Sequence, residues 1–332
     1  MILSDKKIRV GIPRALLYYN YAPLYETFFK ELGAEVIVSH KTNKQIVADG
    51  INASNNELCL PLKILYGHII DLKERVDYIF LPYFISTHKG SYICPKIMAA
   101  PDIIKASIDL KMISPDFDIH SPYSSMYSAL KDAALIINLN PVVIYNAYKK
   151  AMKAQQKFEA KMRKGMTFDE AMKDSPKPRL KNPKMTLAII GHSYVFNDEY
   201  ISSRIFDKIA KKNIKVVTSD MPADDEIYNL LAKKRRTHWN FGDRVLGSAI
   251  IFSKKKDIDG IIYMTPFSCS SDSLVTEFMR EHKNNKKPFM TITVDEHSGD
   301  AGLVTRLEAF VDMVERKNKM KNKNNPKKGR TK

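Results

Sequence analysis

Cys59, Cys94 and Cys269 are the only thiols in the chain, and each stands in the same kind of local pattern. Before Cys269, the apolar run Ile261 to Met264 follows Gly260. Pro266 and Ser268 interrupt it, and Asp272 opens an amphipathic run through Phe278. The pattern predicts a buried strand, then the cysteine, then a helix N-terminus. Free backbone N–H groups and the positive end of the helix dipole favour a thiolate or a sulfide-rich cluster at such a junction. Cys59 is followed by Leu60, Pro61 and a helical pattern through Leu72, and Cys94 by Pro95 in the position that opens a helix.

Three thiolates converging from separate segments could hold three irons of a four-iron four-sulfur cluster and leave the fourth iron open to solvent or substrate. Other readings of the same residues stay open. The spacing is unlike the paired Cys-x-x-Cys of a zinc site, yet zinc completed by His68, His88 or His297 would use the same thiols. Redox-sensing thiols are a further reading, although none has a resolving partner nearby in sequence. Ordinary buried cysteines need no ligand at all.

The elements that must position these residues follow from the apolar pattern. Lys7 to Gly11 reads as a strand, and Gly11-Ile-Pro13-Arg14 as a turn into a helix carrying Leu16, Leu17, Tyr21, Leu24, Phe28 and Leu32. Gly33 stops that helix, and Val36 to Val38 forms a second strand. The plan recurs with strand Thr186 to Ile190, Gly191 at the turn, a helix carrying Ile201, Ile205 and Ile209, Asn213 as its stop, and strand Val216 to Thr218. Gly11 and Gly191, Gly33 and Asn213, Val36 and Val216, and Ser39 and Ser219 share an offset of 180 (191 − 11), which suggests two similar units.

Further strands are expected at Tyr78 to Leu81, Lys111 to Ser114 and Phe289 to Val294, with helices after Cys59 and Cys94 and around Trp239 to Phe252. Alternating strands and helices imply two doubly wound Rossmann-like parallel-sheet domains of the α/β class, whose ligands bind at the carboxyl ends of strands. The expected division is residues 1–140 with Cys59 and Cys94, a helical connector and proline-rich linker at 141–183, residues 184–315 with Cys269, and a basic tail at 316–332.

A chain of 332 residues can bury two such cores. The net charge of +17 is concentrated at the end: Arg316 to Lys332 carries nine Lys/Arg and no acid, leaving 17 − 9 = +8 for the rest. No aromatic residue interleaves those lysines, so a solvated terminus is expected rather than a nucleic-acid site. No window is apolar enough to span a membrane, the start does not read as a signal peptide, and three scattered cysteines do not form a disulfide framework. A cytoplasmic protein is expected.

The stretches Gly11-Ile-Pro-Arg-Ala-Leu-Leu-Tyr-Tyr, Asn56-Glu-Leu-Cys-Leu-Pro, Tyr92-Ile-Cys-Pro-Lys, Gly191-His-Ser-Tyr, Pro266-Phe-Ser-Cys and Val294-Asp-Glu-His-Ser-Gly-Asp together resemble the 2-hydroxyacyl-CoA dehydratase-related family. More narrowly, they resemble the uncharacterised domain associated with the ATP-dependent activator of those dehydratases (CoA enzyme activase-related), over roughly Ile8 to Met313. The resemblance implies Cys59, Cys94 and Cys269 as the ligands of an iron-sulfur cluster in an anaerobic setting. The activator itself is an actin-like ATPase; neither its phosphate- and cluster-binding motifs nor a Gly-x-x-x-x-Gly-Lys-Ser/Thr loop occurs here.

Asp295, Glu296 and His297 follow the last expected strand. Glu296 and His297 are therefore the candidates for proton transfer or for orienting a cluster ligand, against the alternative that Asp295 or Ser298 caps a helix. His192 occupies a similar loop. The reading as a whole is an iron-sulfur protein for low-potential electron transfer or reductive chemistry on a small substrate. The alternative is a non-enzymatic assembly or activation partner, paired with an ATP-dependent activator protein or a homologous subunit.

Overall fold

The computed structural model describes residues 7–121, 125–176, 180–234, 236–282, 287–296 and 300–323. The first half opens with β1 (Arg9–Ile12), α1 (Tyr18–Glu31), β2 (Glu35–Val38), α2 (Lys44–Ala53), α3 (Leu60–Lys73) and β3 (Tyr78–Phe80). It continues through β4 (Tyr83–Ser86), α4 (Pro95–Met98), α5 (Ala100–Ser107), β5 (Met112–Ile113), β6 (Asp116–Asp118) and α6 (Met126–Ala134). Then come α7 (Pro141–Arg163) and α8 (Phe168–Lys173). The second half holds β7 (Thr186–Gly191), α9 (Ser193–Phe196), α10 (Ile205–Lys211), β8 (Lys215–Thr218), α11 (Asp224–Leu231) and α12 (Asn240–Lys254). It closes with β9 (Gly260–Pro266), α13 (Ser270–His282), β10 (Phe289–Val294) and α14 (Asp300–Lys323).

Two four-stranded parallel sheets result, ordered β2-β1-β3-β5 and β10-β9-β7-β8, with a small parallel pair β4-β6 beside them. This is a Rossmann-like α/β fold. In each large sheet the opening strand lies inside, between the second and third strands, so each has a switch point at the strand ends where its connections diverge. Alternate residues of β7 enter different cores. Leu187 and Ile189 join an apolar cluster shared with Val10 and Ile79 of the first sheet, while Ala188 and Ile190 join a second cluster with Ile261 and Tyr263. Burial on both faces is why these parallel strands read as continuous apolar runs.

The stop at Gly33 is a Schellman motif: Gly33, at φ +94°, donates to Lys30 O (3.0 Å), and Ala34 to Phe29 O (3.0 Å). Asn213 takes the same left-handed conformation at φ +55°, so this pair of landmarks is conformationally alike. The glycine pair is not. Ser39 N donates to Ile12 O and Ser219 N to Ile189 O, which aligns Ile12 with Ile189 at an offset of 177 (189 − 12) while the serines keep 180 (219 − 39). Three residues have entered between strand and helix. Gly191 thereby corresponds to Arg14, and each donates its N–H to the matching serine Oγ.

Packing sets how closely α3, the helix behind Cys59, lies against α2. A Cβ at Gly50 would sit 2.0 Å from Lys63 O and one at Gly67 1.9 Å from Ile46 O, so α2 and α3 touch backbone to backbone. The expected connector helix is α7, which lies along α1: Lys150 pairs with Glu31 (2.6 Å), and Gln155 Nε2 donates to the Asn20 carbonyl (2.8 Å). Beyond it, Thr167 and Glu170 form a capping box at the start of α8. The basic segment differs from expectation. α14 continues to Lys323, and Asn318 Nδ2 donates to Asp259 Oδ1 (2.9 Å), a contact that apolar periodicity cannot reveal. Among the described residues, no helix is long and apolar enough to cross a membrane.

Candidate functional site

Each cysteine ends an extended segment and starts a helix. Cys59 caps α3 at φ −69°, ψ 155°, with its carbonyl accepting from Leu62 and Lys63 N–H at 3.0 and 3.2 Å. Cys94 caps α4 with Pro95 as the first helical residue. Cys269 directly precedes α13, after Ser268 turns the chain through φ +61°, and its carbonyl accepts from Ser273 N–H at 3.2 Å. All three thiols are free and half-buried.

The three thiols lie near enough to act on one another electrostatically. Burial pushes the Cys59 thiol up to about 11, and the neighbouring Cys269 and Cys94 add to the rise, against the Leu62 N–H and the Lys96 ammonium. Tyr194, held above the ordinary phenol range mainly by burial, is also raised by Cys269, Asp272, Cys59 and Cys94. Three thiolates cannot share such a space without a positive centre or protonation to relieve their repulsion.

His192 is the imidazole of this site. It precedes α9 and is 4% exposed, with Nε2 2.8 Å from Asp272 Oδ1; Asp272 Oδ2 accepts from Thr265 Oγ1 at 2.7 Å. Among the described residues its Nδ1 makes no hydrogen bond, although the Cys269 thiol acts on the ring. A His192 ring nitrogen, Cys269 Sγ and an Asp272 oxygen lie within 4.8 Å of one another. Burial alone would lower the histidine, but Asp272 and Cys269 outweigh it and raise it to about 10.

Two of the three histidines expected to complete a zinc site, His68 and His88, are engaged elsewhere. His68 is fully buried, with Nδ1 2.8 Å from Ser39 Oγ and Nε2 3.0 Å from Thr42 Oγ1, so both nitrogens are occupied. Burial, helped by the Arg14 charge, pushes it down to about 3. Thr42 in turn donates to Asp198 of the second half, which also accepts from the Tyr19 hydroxyl at 3.0 Å. His88 stacks on Tyr228, and its Nδ1 meets the Lys89 carbonyl at 2.9 Å. His297 lies outside the described residues.

Glu296 stands two residues past the end of β10, where its Oε1 is 2.6 Å from Lys63 Nζ. Lys63 is one turn beyond Cys59 in α3, and the two side chains are 8% and 17% exposed for Lys63 and Glu296. The carboxylate therefore ties the second half to the helix behind a thiol. A cavity of about 450 Å³ beside them is bordered by Lys41, Leu60, Glu199, Arg204, Asp295 and Glu296.

Sequence reasoning missed Lys63 and the pairing of Asp272 with His192. The latter left a signal, because His192 and Asp272 each follow a parallel strand whose neighbour in the sheet is the other's.

The CoA enzyme activase uncharacterised domain matches this chain over residues 9–221, a span that includes Cys59, Cys94 and His192 and ends before Cys269. No curated protein matches the chain. Among solved structures, a glutamate racemase isoform from Bacillus anthracis is 7% identical with a TM-score of 0.22, covering 93% of this chain and 83% of its own. A sugar-binding protein from Salmonella typhimurium is 5% identical with a TM-score of 0.22, covering 89% and 80%. An ABC transporter solute-binding protein from Burkholderia multivorans is 12% identical with a TM-score of 0.21, covering 88% and 99%. At such scores these likenesses carry no argument.

Proposed function

The chain belongs to the CoA enzyme activase uncharacterised domain family, and from that membership we propose an iron-sulfur protein whose cluster is held by Cys59, Cys94 and Cys269. The observation that supports the reading is that three free, half-buried thiols each stand at a helix entrance and that Cys269 and Cys94 both act on Cys59. Soft thiolates free of any disulfide suit iron and sulfide, and a four-iron four-sulfur cluster leaves one iron without a cysteine. When bound, such a cluster supplies one-electron transfer at low potential.

The chain's own groups have definable tasks around it. Backbone N–H groups at the three helix starts favour the thiolate charge. His192, oriented by Asp272, presents its other ring nitrogen toward the Cys269 side of the site and offers a proton or hydrogen bond there. Lys63 and Glu296 hold the two halves together beside Cys59, and the cavity next to Leu60 gives a small substrate an approach. Free thiols fit a reducing, cytoplasmic compartment, and a cluster with an open iron fits an anaerobic one.

Anaerobic purification with iron and acid-labile sulfide analysis tests the proposal. Iron and sulfide in cluster stoichiometry with visible absorbance are expected; stoichiometric zinc without labile sulfide overturns it. A second reading, a single metal ion on His192, Cys269 and Asp272, draws on their convergence within 4.8 Å. That metal would survive replacement of Cys59, whereas a three-cysteine cluster would not. A non-catalytic role beside an ATP-dependent activator or a homologous subunit would show as complex formation without substrate turnover.

A further inference from the structure

A second buried acid opens into a cavity that the thiol site does not use. Asp220 follows β8 and is only 8% exposed. Its Oδ2 accepts from Ser193 Oγ at 2.9 Å and Asn197 Nδ2 at 3.2 Å, both neutral donors. Among the described residues, Oδ1 accepts no hydrogen bond and no cation pairs with the carboxylate. Arg244, the nearby charge, is committed to the Asp224 carboxylate and to the backbone carbonyls of Asp220 and Pro222. A buried carboxylate in that state calls for a donor carrying positive charge.

The cavity has a volume of about 120 Å³, far above the ~10–15 Å³ that one water needs. It lies at the carboxyl ends of β7 and β8, where α/β sheets take ligands, and the first half closes it through α1 and α7. Tyr19, Tyr21, Phe158, Tyr228 and Phe241 supply aromatic walls, and the buried Oδ1 of Asn20, another lining residue, has no hydrogen-bond partner among the described residues. The remaining charges are internally balanced: Arg163 faces Glu159 at 3.7 Å, and Arg244 faces Asp224. Asp220 is left as the carboxyl with no ion pair of its own: burial raises its pKa, and Arg244 offsets that only in part.

The lining separates an organic cation from a metal ion. Among the described residues, the tight group of potential metal ligands is at His192, and no such group lies in this cavity. Aromatic faces attract an ammonium group but offer a hard metal ion no ligand. We propose that this cavity binds a small molecule bearing a primary ammonium group, which donates to Asp220 while its carbon skeleton lies against the rings of Tyr19, Phe158 and Phe241. The inference does not depend on a cluster being present, since Ser193, not His192, faces this side of α9.

Calorimetric titration of the full-length chain at neutral pH with propylamine, 1,4-diaminobutane and β-alanine tests it, with 1-propanol as the neutral isostere of propylamine. Saturable binding of at least one amine, none of the alcohol, and at least tenfold weaker amine binding by Asp220→Asn are expected. Phe158→Leu, which leaves the carboxylate in place, should also weaken the amine several-fold and serves if Asp220→Asn does not fold. Failure of all three amines to bind, equal binding of 1-propanol, or unchanged amine affinity in the folded Asp220→Asn variant overturns the proposal.

Discussion

Lys63 Nζ and Glu296 Oε1, 233 residues apart, meet at 2.6 Å one helical turn from Cys59. The pair joins the helix behind the first thiol to the last strand of the second sheet. Its near-complete burial makes each charge dependent on the other. Glu296→Gln should therefore destabilise the fold by about 2–3 kcal/mol, somewhat below the ~3–5 kcal/mol typical of breaking a fully buried pair. Urea unfolding measures this, and Lys63→Met in the Glu296→Gln background should recover most of the loss. Equal stability of the single variant and the parent would mean that the contact contributes nothing.

The three thiols should behave as one site. Replacing Cys59, Cys94 or Cys269 singly by Ala should each remove most of the bound iron and visible absorbance from anaerobically prepared protein, because a cluster needs charged ligands whereas a packing thiol tolerates Ala. Three variants that retain full iron would refute the shared site.

His68 gives a pH signature with a definite sign. Its folded value is about 3, below the ordinary 6.5, so the unfolded chain takes up the proton first as pH falls. The stabilising contribution is complete above about pH 6.5 and is lost progressively as pH falls toward 3. His68→Gln should lower stability at neutral pH and flatten that acid limb in chemical denaturation. Asp198, raised by burial, contributes with the opposite sign, so the difference between parent and variant isolates the histidine. Parallel pH profiles for the two proteins would contradict the assignment.

The end of α14 should matter modestly. Truncation from Arg316 removes the Asn318–Asp259 hydrogen bond, a loss of roughly 1 kcal/mol. Asn318→Ala should reproduce that loss, whereas truncation after Lys323 should spare it. Thermal melts of the three proteins separate these cases; an unchanged melting temperature for Asn318→Ala would remove the contact from the account.

The sequence by itself determined the strands of the two four-stranded sheets, the helix starts at the three cysteines and the stops at Gly33 and Asn213, but not the small β4-β6 pair. Those features are local: apolar runs bury strands, proline opens a helix, and a left-handed residue closes one. Which side chains meet was decided only by the tertiary structure. His68 was a candidate to join the thiols and His192 was not, but its place in α3 points His68 to Ser39 and Thr42, while the β7–β9 pairing sets His192 against Asp272. The offset of 180 likewise holds for the two serines, whereas the opening strands align at 177, which their hydrogen bonds and not their glycines define. Local pattern fixes backbone conformation within a few residues, but a contact such as Lys63–Glu296 depends on sheet order and helix packing, which no short stretch of sequence contains.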